Sequence, residues 1–143
     1  EQAHIVIGSL ELLRQQVDYA HWFEAADARG MAALVRAIVA AVALPSADDA
    51  VSAADDALAV AARSDVRLST VRDANFRLRD AISRLIEDAF ALHDDAARRT
   101  VQKLVLDHGA AQIGRERAFV AATGFDVFPE TMRSIEETLR PAA

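Results

Sequence analysis

The sequence predicts an all-α fold, an antiparallel helical bundle of three long helices plus two or three shorter ones. Two observations carry that expectation. Of 143 residues 32 are alanine, whereas only 5 are glycine and 3 are proline, a balance that favours helix and starves a sheet of turns. Apolar residues also recur at alternating intervals of three and four along most of the chain, as they do in helices that bury one face. The length suits a single domain over residues 1–143, and the absence of cysteine means that its core must stand without disulfides or thiolate metal sites.

The first seam runs through Val6, Leu10, Leu13, Val17 and Ala20, with a second stripe of Ile5, Leu12, Tyr19, Phe23 and Ala26 beside it. Both are expected to face neighbours, and Gly30 is expected to end this helix as its C-cap. Met31–Leu44 then reads as a separate helix, apolar nearly all round except for Arg36, closed by Pro45. Ser46 followed by Asp49 resembles a capping box, after which Ala47-Asp48-Asp49-Ala50-Val51 recurs as Ala54-Asp55-Asp56-Ala57-Leu58 at a period of seven. The thin stripe of Val51, Ala54, Leu58 and Ala61 should pack, while the paired aspartates form a wet face.

A boundary follows within residues 63–70, where Ser64, Ser69 or Thr70 is expected to cap the next helix. That helix carries the seam Val71, Asn75, Leu78, Ile82, Leu85, Ala89 and Leu92. A second break falls within residues 93–96 at His93-Asp94-Asp95, with an aspartate as N-cap. The third long seam, Ala97, Val101, Leu104, His108, Ala111 and Ala118, should end near Gly124. Pro129 suits a first helical position, and Met132, Ile135 and Leu139 predict a short final helix before Pro141.

Sixteen Lys and Arg against 22 Asp and Glu leave a net charge of −6, which argues against a general phosphate-binding role and hence against a nucleic-acid partner. The longest apolar run, Met31–Leu44, has 14 residues, short of the roughly 18 needed for a membrane span. A cytoplasmic location is the default expectation. Because the sequence starts at Glu1 without a methionine or a basic n-region, the chain is expected to be either a processed protein or an excised domain. No Gly-rich phosphate loop, zinc spacing or nucleophile elbow is present, and the serines stand in plain helical or capping contexts.

The informative residues are polar ones on apolar seams, since burying an unpaired polar group costs roughly 1–3 kcal/mol. Glu24 and Asp27 continue the first seam beyond Ala20, and their place near an expected helix end puts them at a wet rim. Asn75 interrupts the second long seam, where an asparagine commonly fixes register. His108 sits in the third and reads first as a core histidine. His21, one turn before Glu24, shares a face with it and could grip one proton or one metal ion together with it. A di-metal carboxylate bundle needs Glu-x-x-His pairs, and only the reversed His21-x-x-Glu24 is present. Haem on His108, beside Gly109, Ala110 and Ala111, lacks aromatic walls and an evident second axial ligand.

The sharper expectation is a small-molecule pocket with Glu24, Asn75 and His108 converging and Trp22 or Phe23 as its lid. Arg98, Arg99, Lys103, Arg115 and Arg117 give the third long helix a basic side, expected to meet the Asp48–Asp56 face of this chain or of a second copy. The functional expectation is therefore a non-enzymatic association module, homodimeric through the Met31–Leu44 surface, with a sensory or regulatory ligand role in view. The competing class is a cofactor- or metal-dependent bundle enzyme using Glu24 and His108 as acid and base, with no cofactor specified.

Overall fold

The computed structural model describes residues 2–121, 126 and 128–139, without the side chains of residues 2–5 and 15. Within them every regular element is helical: α1 Gln2–Ala41, α2 Ala47–Ala61, α3 Leu68–Ala91, α4 Asp95–Phe119 and α5 Ile135–Leu139, with a 3₁₀ turn at Pro129–Thr131 before α5. The three long helices and the shorter ones pack as the all-α bundle that the periodicity predicts.

The first difference from the sequence reading is at Gly30. It lies inside a single 40-residue helix, so the two helices expected on either side of it are one. Gly30 marks a close approach of another helix and not the end of its own. A Cβ built there would lie 3.1 Å from Arg115 Nη2 and 3.4 Å from His108 Cε1, both on α4. A glycine that lets a neighbouring helix come close looks, in sequence, like one that ends a helix.

α3 runs alongside α1 in the same direction, since Arg72 meets Glu24 and Arg79 meets Asp27. α4 returns antiparallel to α1: Phe119 stacks on Phe23 with ring centroids 4.5 Å apart, Arg115 reaches Asp27, and His108 lies at Gly30. α2 doubles back from α1 through residues 42–46, and Arg36 of α1 bonds Asp55 of α2 at 2.9 Å.

Alanine sets the spacing of the α1–α2–α3 layer. Ala28, Ala32, Ala50, Ala54, Ala57, Ala74 and Ala89 are buried, and small side chains at the crossing let helix axes approach to roughly 8 Å. Between them Val35, Ile38, Val71, Leu78 and Leu85 are fully enclosed, each contributing about 1.5–3 kcal/mol of burial. The surface of Met31–Leu44 is thereby used inside the chain: Met31, Ala32, Leu34, Val35, Ile38 and Leu44 are core, so this segment offers no large free face for a second copy. α2 buries Ala50, Ala54, Ala57 and Ala61 and half-buries Val51 and Leu58, leaving all four paired aspartates exposed as expected.

The helix starts are partly as read. Asp94 caps α4, accepting from the Ala96 and Ala97 amides. Ser46 makes no cap; its amide and hydroxyl both donate to Asp88 Oδ2, at 2.9 and 2.6 Å, and tie the start of α2 to the end of α3. α3 begins at Leu68 behind Arg67, not behind Ser64, Ser69 or Thr70. α4 ends at Phe119, while Gly124 and Pro141 lie outside the described residues. Pro129 opens the 3₁₀ turn, and Met132 falls between that turn and α5. A second small core joins Ala26 to Ile135 and Leu139, flanked by Tyr19, Phe23 and Phe119, and the Tyr19 hydroxyl donates to Glu136 at 2.6 Å. No described helix is long and apolar enough to cross a membrane.

Candidate functional site

The middle of α1 presents Glu24 and Asp27 one turn apart on a single face, and that face meets α3 and α4. Both are buried, at 8% and 1% exposure, which corrects their expected place at a wet rim. The rim vanished because α1 does not end at Gly30. Each carboxylate is instead neutralised from a distant helix. Arg72 Nε donates to Glu24 Oε1 at 2.8 Å, while Asn75 Nδ2 donates to Glu24 Oε2 at 2.9 Å and to the Glu24 carbonyl at 3.0 Å. Arg79 Nη2 bonds Asp27 Oδ2 at 2.5 Å, and Arg115 Nη2 bonds Asp27 Oδ1 at 3.2 Å.

These charge-assisted bonds engage both oxygens of each carboxylate and tie them to α3 and α4. Glu24 and Asn75 are thus brought together, but as partners of each other. His108 stands further along, half-buried against α1 at Gly30 and beside Arg115. Burial and the Arg115 charge hold its imidazole below the usual 6.5, with Asp27 opposing them. Its ring edge faces α1, so the space that a planar macrocycle needs beside that edge is filled by the helix. Trp22 is on a different side: residues two apart are about 200° apart around a helix, and Trp22 is more than half exposed, away from Glu24.

Trp22 lines, with His21, Ala25 and Arg29, a cleft of about 260 Å³. His21 makes no bond to Glu24; its Nε2 is buried without a hydrogen-bond partner among the described residues. Arg29 donates to the Leu139 carbonyl at 3.1 Å, and burial together with neighbouring Arg115 holds its guanidinium below its ordinary range. Neither this cleft nor those between α2 and α3, at α5, or at the α3–α4 turn is lined by Glu24, Asn75 or His108. Among the described residues no group of three or more His, Asp or Glu is placed to hold a metal ion.

Within the chain, three members of the basic side of α4 pair with acids near them in sequence and not with the Asp48–Asp56 face. Arg98 pairs with Asp95, Lys103 with Asp107 at 2.5 Å, and Arg117 with Asp126 at 2.7 Å. Arg117 holds Asp126 well down, to about 2. Of the arginines that complete the polar core, Arg72 and Arg79 carry no local signal in the sequence, and Arg115, expected on the Asp48–Asp56 face, pairs instead with Asp27 on a helix far along the chain.

One feature of α1 is left over. The seam that Glu24 and Asp27 continue is bare at its other end: Val6, Leu10, Leu13 and Val17 are 57%, 60%, 55% and 77% exposed. These were expected in the core. The period of the pattern was right, but α3 begins too late along α1 to cover them, and the neighbouring Tyr19 and Phe23 are the part of the second stripe that α4 and α5 cover. Comparison with protein-family models, curated proteins and solved structures returns no match.

Proposed function

We propose that this protein is a helical association module that pairs with a second copy of itself through the N-terminal half of α1. The observation that carries the reading is the bare row Val6-Leu10-Leu13-Val17. Its spacings of four, three and four are those of a coiled-coil seam, and its order of valine, leucine, leucine, valine is the same read in either direction. An antiparallel pairing about its midpoint sets Leu10 over Leu13 of the second copy and Val6 over Val17, twice, as an isologous two-fold contact does.

The flanks agree with it. Ile7, exposed, would lie along the aliphatic stem of Arg14 from the second copy, and Ser9 near Gln16, so no like charges meet. An isolated seam of this length would be marginal, yet here the helix is continuous with a packed bundle and its ordering cost is reduced. The buried ion network holds the bundle in register, and the bare seam does the associating. An acid–base role for Glu24 and His108 has no comparable support, since Glu24 is engaged with Arg72 and Asn75.

The test is sedimentation velocity of the wild type and of Leu10→Glu/Leu13→Glu at micromolar concentration. A wild-type dimer and a monomeric variant with unchanged helicity and melting temperature are expected. A monomeric wild type at every concentration sinks the proposal.

A second reading concerns a small ligand, and the unpartnered His21 Nε2 beside Arg29 favours it. The Arg29 guanidinium beside an exposed indole suits a small aromatic carboxylate. Trp22 is the sole tryptophan, so its fluorescence reports the cleft directly. Saturable quenching by benzoate or indole-3-acetate, lost in Arg29→Ala, is the expected result, and linear quenching that Arg29→Ala leaves unchanged counts against it.

A further inference from the structure

α2 and α3 enclose a cleft of about 360 Å³ whose floor is Ala53, Ala57, Ala74 and Ala81. One rim carries Asp49, Ser52 and Asp56 on α2; the other carries Arg77, Asp80 and Arg84 on α3. The four outer charges are exposed, and none is within ion-pair distance of another described residue, whereas Arg72, Arg79 and Arg115 of the polar core are all paired. The rims are also in register. The Ser46–Asp88 hydrogen bonds fix the level of α2 against antiparallel α3 at one end. Counted from that anchor at 1.5 Å per residue, Asp49 falls within about 1.5 Å of the level of Arg84 and Asp56 within about 1.5 Å of that of Arg77, with Ser52 about 3 Å from that of Asp80.

We infer that this groove is a second self-association face, independent of the α1 seam, which docks the same groove of another copy. A two-fold axis along the groove's mouth lays α2 of one copy over α3 of the other, antiparallel and at the same level. Asp49 then meets Arg84 of the second copy, Asp56 meets Arg77, and the Ser52 hydroxyl donates to Asp80. Each contact occurs twice. The alanine floors let the helices come close, and each of the four outer charges finds the opposite sign. An anionic polymer fits less well, because the α2 rim repels it, and a basic peptide is repelled by Arg77 and Arg84. Self-pairing is the arrangement that satisfies both rims at once.

The experiment uses the full chain carrying Leu10→Glu/Leu13→Glu, so that the α1 seam is silenced and the two faces fail separately. On that background Asp49→Arg/Asp56→Arg makes both rims predominantly positive, and Arg77→Asp/Arg84→Asp makes both negative. All four substitutions are on exposed helical positions, and circular dichroism checks the fold.

The parent, monomeric at micromolar concentration, should self-associate toward millimolar concentration, and 0.5 M NaCl should weaken that association about tenfold or more, as expected for several exposed ion pairs acting together. Each charge variant alone should be monomeric, and an equimolar mixture should form the mixed dimer, because both pairs of facing rims are then opposite in sign. A parent that stays monomeric at millimolar concentration, or a mixture that gives no mixed dimer in native mass spectrometry, overturns the inference and leaves the rims to pair across their own groove.

Discussion

Arg115 of α4 and Arg79 of α3 converge on the two oxygens of one carboxylate, Asp27 of α1, at 3.2 and 2.5 Å. A single acid at 1% exposure thereby joins the three long helices. Such a group is strongly context-dependent: a buried pair adds little over an apolar replacement, but removing one partner strands the other. Arg115 is the one that would be stranded, since its side chain is 11% exposed whereas that of Arg79 is 41% exposed. Asp27→Ala should therefore lose about 3–5 kcal/mol in urea unfolding, and Arg79→Ala distinctly less. Equal losses for the two would show that burial does not decide the cost.

Gly30 tests the same pair from the other side. Alanine in a helix interior is favoured over glycine by about 1 kcal/mol, but the added Cβ would press on the Arg115 guanidinium at 3.1 Å. Arg115 cannot yield without leaving Asp27. Gly30→Ala alone should thus gain less than about 0.5 kcal/mol, whereas in an Arg115→Met background it should gain about 1 kcal/mol. Identical gains in the two backgrounds would mean that the close approach of α4 imposes no requirement at residue 30.

His108 gives the bundle a pH dependence with a definite sign. Burial and Arg115 lower its pKa in the folded chain below 6.5, so the unfolded chain binds the proton more readily. The associated stability is fully present above pH 6.5 and falls as pH drops from there toward the folded-state pKa. The Asp27 charge works against this shift and keeps it from being larger. His108→Gln should flatten the stability profile as pH falls below 6.5, read from urea midpoints in a pH series. A wild-type profile already flat in that window would remove His108 as its source.

The sequence made α2, α3 and α4 legible because helix formation and burial there follow one period, and Asp94 showed its capping role through its place before α4. Glu24 and Asp27 were recognised as anomalies on a seam, but not as buried ions. Their partners Arg72, Arg79 and Arg115 lie 48, 52 and 88 residues away, and local spacing carries no information over such distances. The bare Val6–Val17 row shows the complementary limit. A period says that a face is apolar, and only the length of the neighbouring helices decides whether the same chain covers it. Trp22 was grouped with Glu24 by proximity in sequence, although positions two apart in a helix point to different neighbours.

The last prediction concerns the two glycines inside α4. Gly109 and Gly114 each weaken the helix by about 0.5–1 kcal/mol relative to alanine, and a Cβ added at either would meet nothing within 4 Å. Gly30 is explained by a close neighbour; these two are not, and no contact in the chain opposes their replacement. Gly109→Ala and Gly114→Ala should each raise stability by about 0.5–1 kcal/mol, and the double variant by close to the sum, since the substitutions touch no common partner. The effect should be visible because α4 buries only Val101 and Ala118 completely, so helix propensity adds measurably to what keeps it folded. Thermal unfolding followed at 222 nm measures it. A loss of stability in either variant would mean that α4 bends or closes against α1 more tightly than the open space at these positions implies.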